Sequence, residues 1–245
     1  LLYSESGIGK TSLINAAIIP VLREKYFFPV VIRFSVAYLA SLDSNNIESI
    51  GDVIFETIEN EVKIFSDNHY PVTLEYPSLK DTSTNILNSL WWRIRHIEIK
   101  ASIANISITY TPFLIFDQIE RLFYNNIKDV AIESFFKLIK ELSIDYIPER
   151  FLHSNIEPKL SSFKILFALR DDYLGQFDYW SNIKTNIPSL TENRFCLRPL
   201  NYDNAKAIIS LNHIEEIEAI SEQIIKWSTE RDHISSILLL SLIHI

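Results

Sequence analysis

Three continuous apolar runs constrain this chain more than any other feature: Phe28–Phe34 (FPVVIRF), Phe113–Phe116 running onto Asp117, and Phe163–Leu169 (FKILFAL) running onto Arg170. Each is strand-length and lacks the polar–apolar alternation of a half-exposed strand, so each needs cover on both faces. Helical stripes separate them. Leu13, Ile14, Ala17, Ile18, Val21 and Leu22 recur at helical spacing and end near Arg23–Lys25, with Pro20 expected to kink or shorten that helix. Ile47, Ile50, Ile54, Ile58, Val62 and Phe65 form a second stripe, and Ala131, Phe135, Leu138 and Leu142 a third. Strands alternating with helices predict an α/β fold, a parallel sheet flanked by helices.

The remaining segments are read more coarsely. Asn68 to Thr84 is polar and proline-bearing and reads as a loop; Ile86 to Ile99 reads as a helix. Tyr146 to Ser162 yields no element. A short helix is expected around Asp172–Phe177 and a fourth strand at Arg194–Leu197. From Asn201 onward the pattern is helical, with an N-cap at Asn201 or Asp203. Residues 1–200 therefore read as the core and 201–245 as the start of a small C-terminal helical region.

Composition narrows the partners. A net charge of −8 over 245 residues argues against a broad basic footprint for nucleic acid. The single cysteine, Cys196, excludes an intrachain disulfide and suggests a reducing, cytoplasmic setting. No stretch approaches the roughly 20 apolar residues of a membrane span. The chain contains no methionine and ends on an apolar run, which reads as an internal segment of a longer protein.

Ser4-Glu5-Ser6-Gly7-Ile8-Gly9-Lys10-Thr11 is a phosphate-loop candidate in which Ser4 stands at the usual first glycine. Gly7 and Gly9 let backbone N–H groups curl around a phosphate, and the following helix aims its positive end at the same oxygens. Ser6, Gly7, Ile8, Gly9, Lys10, Thr11 and Ser12 are the candidate nucleotide contacts. Lys10 supplies a mobile cation for the β- and γ-phosphates, and the Thr11 hydroxyl is placed to ligate Mg²⁺. The bland alternative is a glycine turn before an ordinary helix.

Asp117 ends the second apolar run, as a Walker-B carboxylate would, and is the second Mg²⁺ candidate. Glu120, three residues on, is the candidate general base; a strand ending at a helix N-cap is the alternative for this segment. Arg170 ends the third run. Two readings stand for it: a guanidinium reaching the γ-phosphate, or an ion pair with Asp171 or Asp172.

Together these segments resemble the STAND class of P-loop NTPases, and within it the novel STAND group. The likeness rests on TSLINAAIIPVL (Thr11 to Leu22), on Asp117, Gln118, Glu120, Leu122 and Phe123, on Arg170, Asp172, Tyr173 and Leu174, and on FCLRPLNYDNAKAII (Phe195 to Ile209). The resemblance implies an ATP/ADP-binding switch with Mg²⁺ and slow turnover, oligomerising on activation. It implies sensor and effector domains outside this segment, and a role in signalling or antiviral defence. A mechanical ring ATPase or kinase-like phosphoryl transferase, and a scaffold without hydrolysis, are the competing readings. Gln118 follows Asp117 where many ring ATPases carry a catalytic glutamate, which shifts water activation to Glu120.

The six histidines show no metal-binding spacing. Cys196 is expected in the core. Trp91 and Trp92 read either as an interaction patch with Arg93, Arg95 and His96 or as one core residue and one at an interface. Arg194 and Arg198 read as surface residues or as contacts to a neighbouring subunit's nucleotide.

Overall fold

The computed structural model describes residues 1–42, 47–75, 89–103, 106–144, 147–148, 163–187, 190 and 193–199. The helical region expected from Asn201 and most of the unread connection, residues 149–162, lie outside the described residues.

Strand β1 (Leu2–Ser4) leads through the glycine loop into α1 (Lys10–Leu13), which continues through a π-helical turn at Ile14–Ile18 into α2 (Ile19–Glu24). Pro20 sits in the first turn of α2, so the helix neither breaks nor ends early. The physical reason is the wide turn before it. Proline cannot bond the carbonyl four residues back and crowds it, and an i→i+5 turn, here Ile19 N–H to Ile14 O, opens room for the ring.

Strand β2 (Phe27–Ile32) is followed by α3 (Val36–Ser41), whose N-cap Ser35 accepts from the Tyr38 N–H at 3.1 Å, and then by α4 (Ile47–Asn68). After α4 come β3 (Val72–Glu75), α5 (Leu90–His96), β4 (Glu98–Ile103) and β5 (Ile106–Asp117). A 3₁₀ turn at Ile119–Phe123 leads to α6 (Asp129–Ser143). The chain then gives β6 (Lys164–Arg170), a 3₁₀ turn at Asp171–Tyr173, α7 (Leu174–Asp178), a π-helical turn at Tyr179–Lys184 and β7 (Phe195–Cys196).

The sheet is mixed and mostly parallel, matching the expected α/β class. Its seven strands run β3-β4-β5-β6-β1-β7, with β2 also paired to β5. β2, β5, β6, β1 and β7 are mutually parallel; β3 and β4 form an antiparallel wing on the N-terminal half of β5. That wing corrects two expectations. The presumed loop from Asn68 holds β3, and the presumed helix to Ile99 is a seven-residue helix that gives way to β4.

Alternation along the parallel strands sorts their side chains onto two covered faces. Val30, Ile32, Leu114, Phe116, Phe167 and Leu169 join the large core beneath α4, α5 and α6. Val31, Phe113, Ile115, Leu166 and Ala168 meet Leu13, Ile14 and Ile18 of the opposite layer. Ring contacts knit the first layer: Phe116 stacks on Phe167 at 5.2 Å and meets Phe135 of α6 edge-on at 5.5 Å. Each fully buried phenylalanine contributes roughly 1.5–3 kcal/mol of hydrophobic stabilisation.

Trp91 and Trp92 are both buried in that core, so neither serves an interface. Arg95, one turn on, is also fully buried. It donates to the carbonyls of Trp91, Leu142 and Ile144 at 3.2, 3.0 and 2.5 Å and lies between the rings of Trp91 and Phe163. Cys196, expected in the core, is exposed, because β7 is a two-residue strand at the sheet's border. No described helix is long and apolar enough to cross a membrane.

Candidate functional site

The same alternation that builds the two faces positions the site. Continuing the face of Leu2, Val31, Ile115 and Ala168 by two residues reaches Ser4, Arg33, Asp117 and Arg170. All four therefore leave the carboxyl edge on the side covered by α1. Register fixes their order: Ile32 lies beside Phe116, Asp117 beside Ala168, and Ser4 beside Arg170. In open parallel sheets this edge is where ligands bind.

The glycine loop closes over that edge. Gly7 and Gly9 have φ of 81° and 101°, values that a side chain would strain. Gly9 is the N-cap of α1 and offers no side chain to the first N–H groups of the helix, which have no intrahelical partner. Ile8 is buried and anchors the loop, while Ser6 is exposed. Lys10 folds back across the loop, its Nζ donating to Ser4 O and Ser4 Oγ at 2.9 Å each and to Glu5 O at 3.1 Å. Burial pulls the Lys10 ammonium below its ordinary pKa, opposed by the charges of Glu120, Asp171 and Asp117. The Ser4 hydroxyl thus takes up a lysine contact that a glycine could not make.

Thr11 and Asp117 meet directly: the Thr11 hydroxyl donates to Asp117 Oδ2 at 2.9 Å. The other carboxylate oxygen, Asp117 Oδ1, is buried without a hydrogen-bond partner among the described residues. A hydroxyl and an unsatisfied carboxylate oxygen on one spot form the hard-oxygen donor set that suits Mg²⁺. Glu120 lies one turn on, in the 3₁₀ segment reached through Gln118, whose left-handed φ of 60° turns the chain sharply off β5. Burial pushes the Glu120 carboxyl above its ordinary pKa. Hydrogen bonds from backbone N–H groups of Glu120 and Arg170 and the charge of Lys10 act the other way.

Arg170 is paired. Its Nε and Nη2 donate to the two oxygens of Asp172 at 3.0 and 2.6 Å, and its guanidinium lies 5.6 Å from the Tyr173 ring centre. Of the two readings of this residue, the ion pair is the geometry observed. Arg194 is likewise engaged, through a two-pronged contact with Asp178.

A family model described as novel STAND NTPase 1 matches residues 1–223. The chain belongs to that family. It is an NTPase domain of the STAND type. No curated protein matches it. Among solved structures, it is similar to the Orc1 protein of Aeropyrum pernix, solved in complex with DNA. The identity is 12% and the TM-score 0.46, over 98% of this chain and 50% of that one. It is also similar to a Walker-type ATPase of Pyrococcus abyssi, at 14% identity and a TM-score of 0.47, over 97% of this chain and 59% of that one. The STAND chain thus spans only half to three-fifths of either protein's length.

Of the residues singled out in sequence, Lys10, Thr11, Asp117 and Glu120 gather at one point of this STAND domain. Arg170 stands beside them at the same edge, turned onto Asp172. One residue was missed. Arg33 directs Nε and Nη2 onto Asp117 Oδ2, each at 2.9 Å. The signal was present: Arg33 is the one charge inside FPVVIRF, one residue past the end of β2, close to where Asp117 and Arg170 end their strands.

Proposed function

We propose that this STAND NTPase domain binds ATP with Mg²⁺ at the Ser4–Thr11 loop and hydrolyses it slowly, as the switch of a multidomain signalling protein. The observation that carries the reading is the Thr11–Asp117 hydrogen bond. It joins the loop to the end of β5 across 106 residues of sequence. Ser6, Gly7, Ile8, Gly9, Lys10, Thr11 and Ser12 contact the phosphates, and Thr11 and Asp117 hold Mg²⁺, which when bound neutralises charge developing on the phosphate oxygens.

Lys10 leaves Ser4 for the β- and γ-phosphates. Glu120 takes the proton of the water that attacks the γ-phosphorus as the bond to the β-phosphate oxygen breaks, releasing ADP and phosphate. A carboxyl raised by burial suits that task near neutral pH. Arg170 exchanges Asp172 for the γ-phosphate, so ATP and ADP leave it in different pairings. A ligand shifts a two-state element only through such a difference. Turnover below about one per second, the low end of enzyme rates, is expected of a switch; faster turnover favours a mechanical ring ATPase.

Lys10→Ala tests the assignment. Binding of a fluorescent ATP analogue should weaken at least roughly a hundredfold, since the charged phosphate contact is lost. Unchanged affinity would put the nucleotide elsewhere.

A further inference from the structure

We infer that Arg33 is a positioning residue that sets how much Mg²⁺ the site demands, by serving as the counter-charge of Asp117 until the ion takes its place. The inference rests on the nucleotide-site reading above. Its basis is the asymmetry of the contact. The Asp117 side chain is 1% exposed and that of Arg33 40% exposed, and both guanidinium N–H groups converge on the single oxygen that also accepts from Thr11. A buried carboxylate without a cation is costly. Among the described residues Arg33 is the only cation within ion-pair distance of it.

Strand order decides what Arg33 can reach. β2 lies on one side of β5, and β6 and β1, with the phosphate loop, lie on the other. Arg33 therefore approaches Asp117 from the flank opposite the loop strand, as a second partner of the carboxylate rather than part of the phosphate cradle. Orientation of Asp117 does not depend on it alone, since the Thr11 hydroxyl and burial at the strand end also hold the side chain. The net effect of Arg33 is consequently one of charge. A guanidinium on the carboxylate stabilises the ion-free protein and repels the incoming dication. Both effects raise the Mg²⁺ concentration at which the nucleotide binds tightly.

The corner that carries Arg33 is tied down as well. Phe34 O accepts from Arg121 Nη1 at 3.0 Å, and Arg121 follows Glu120 in the 3₁₀ turn. Ser35 then caps α3. The arginine is thus delivered from a fixed backbone position and not from a loose surface loop.

The test titrates Mg²⁺ against the affinity for a fluorescent ADP analogue in wild type, R33M, R33Q and R33K, and compares melting temperatures in EDTA and in Mg²⁺. R33M and R33Q should lower the Mg²⁺ midpoint roughly tenfold, as removal of a close like charge allows. Neither should gain affinity in EDTA, where the uncompensated Asp117 carboxylate faces the phosphates without an ion between them. Their melting temperature should fall in EDTA and recover with Mg²⁺ and nucleotide, which an arginine with only a structural role would not produce. R33K, which keeps the charge but not the planar fork, should have a midpoint closer to wild type than either neutral variant. R33Q carries the same loss of charge if R33M does not fold. An unchanged or raised midpoint in both neutral variants would overturn the role of Arg33, as would selective loss of ATP over ADP affinity, which would make it a γ-phosphate contact. Failure of wild type to bind nucleotide at all would instead overturn the site reading beneath it.

Discussion

Glu120 shows how depth sets what a single carboxylate can do. It sits in the 3₁₀ turn after β5, buried, with Oε2 lacking a hydrogen-bond partner among the described residues. Replacing it with glutamine keeps the volume and removes the base, so E120Q should lower ATP hydrolysis by at least roughly a hundredfold while leaving binding intact. Single-turnover phosphate release, measured beside equilibrium binding, separates the two. The raised pKa adds a signature in stability. A folded carboxyl that holds its proton more tightly than the unfolded one imposes no penalty below the unfolded pKa. The penalty grows as pH rises through the folded value. Glutamine carries none of it, so the stability advantage of E120Q over wild type should widen from acid to neutral pH; a constant gap would show that burial does not shift Glu120. Glu120 was legible in sequence because it follows a strand-ending aspartate at short range. Arg33 left only the trace of a lone charge in an apolar run; its partner lies 84 residues away, and only the parallel register of β2 with β5 identifies it.

At the level of elements, Arg95 ties α5 to the end of α6. Its guanidinium takes carbonyls of Leu142 and Ile144, groups that the last turn of a helix leaves without intrahelical donors. R95L would keep apolar bulk between Trp91 and Phe163 but strand those carbonyls. Chemical denaturation should then show a loss of roughly 1–3 kcal/mol, the range for buried carbonyls left without a donor. An unchanged midpoint would mean that the carbonyls find other donors. The sequence patterns located α4 and α6 because their apolar stripes keep one period over many turns: Ile50, Ile54, Ile58, Val62 and Phe65 are all buried. They failed at β3 and β4 for a physical reason. Thr73, Glu75 and Ser102 face solvent and Glu98 and Lys100 are only partly covered, so polar residues that suit the open face of an antiparallel wing look in sequence like loop or helix surface. Lys100 binds Glu75 across the wing and Glu98 on its own strand, each at 2.7 Å, and so bridges two carboxylates that the pairing sets side by side.

Across the whole molecule, β2, β5, β6 and β1 bring Arg33, Asp117, Arg170 and Ser4 into one row at the carboxyl edge, beneath the glycine loop. A ligand spanning that row would bridge segments that otherwise meet only through the sheet, and its binding energy would become folding stability. At a hundred times its dissociation constant such a ligand adds about 2.7 kcal/mol. For a chain of this size that corresponds to a rise in melting temperature of roughly 5–10 °C. The Mg²⁺ dependence of the rise distinguishes two modes of binding. A nucleotide held by the loop alone would stabilise equally in EDTA. One held by the loop and by Asp117 together gains its larger part only with Mg²⁺. Saturating ATP should accordingly give a small shift in EDTA and the full shift with Mg²⁺. D117N should retain the first and lose the increment, whereas K10A should lose both. A full shift surviving in D117N would detach β5 from the site and leave the Thr11–Asp117 contact a purely structural tie.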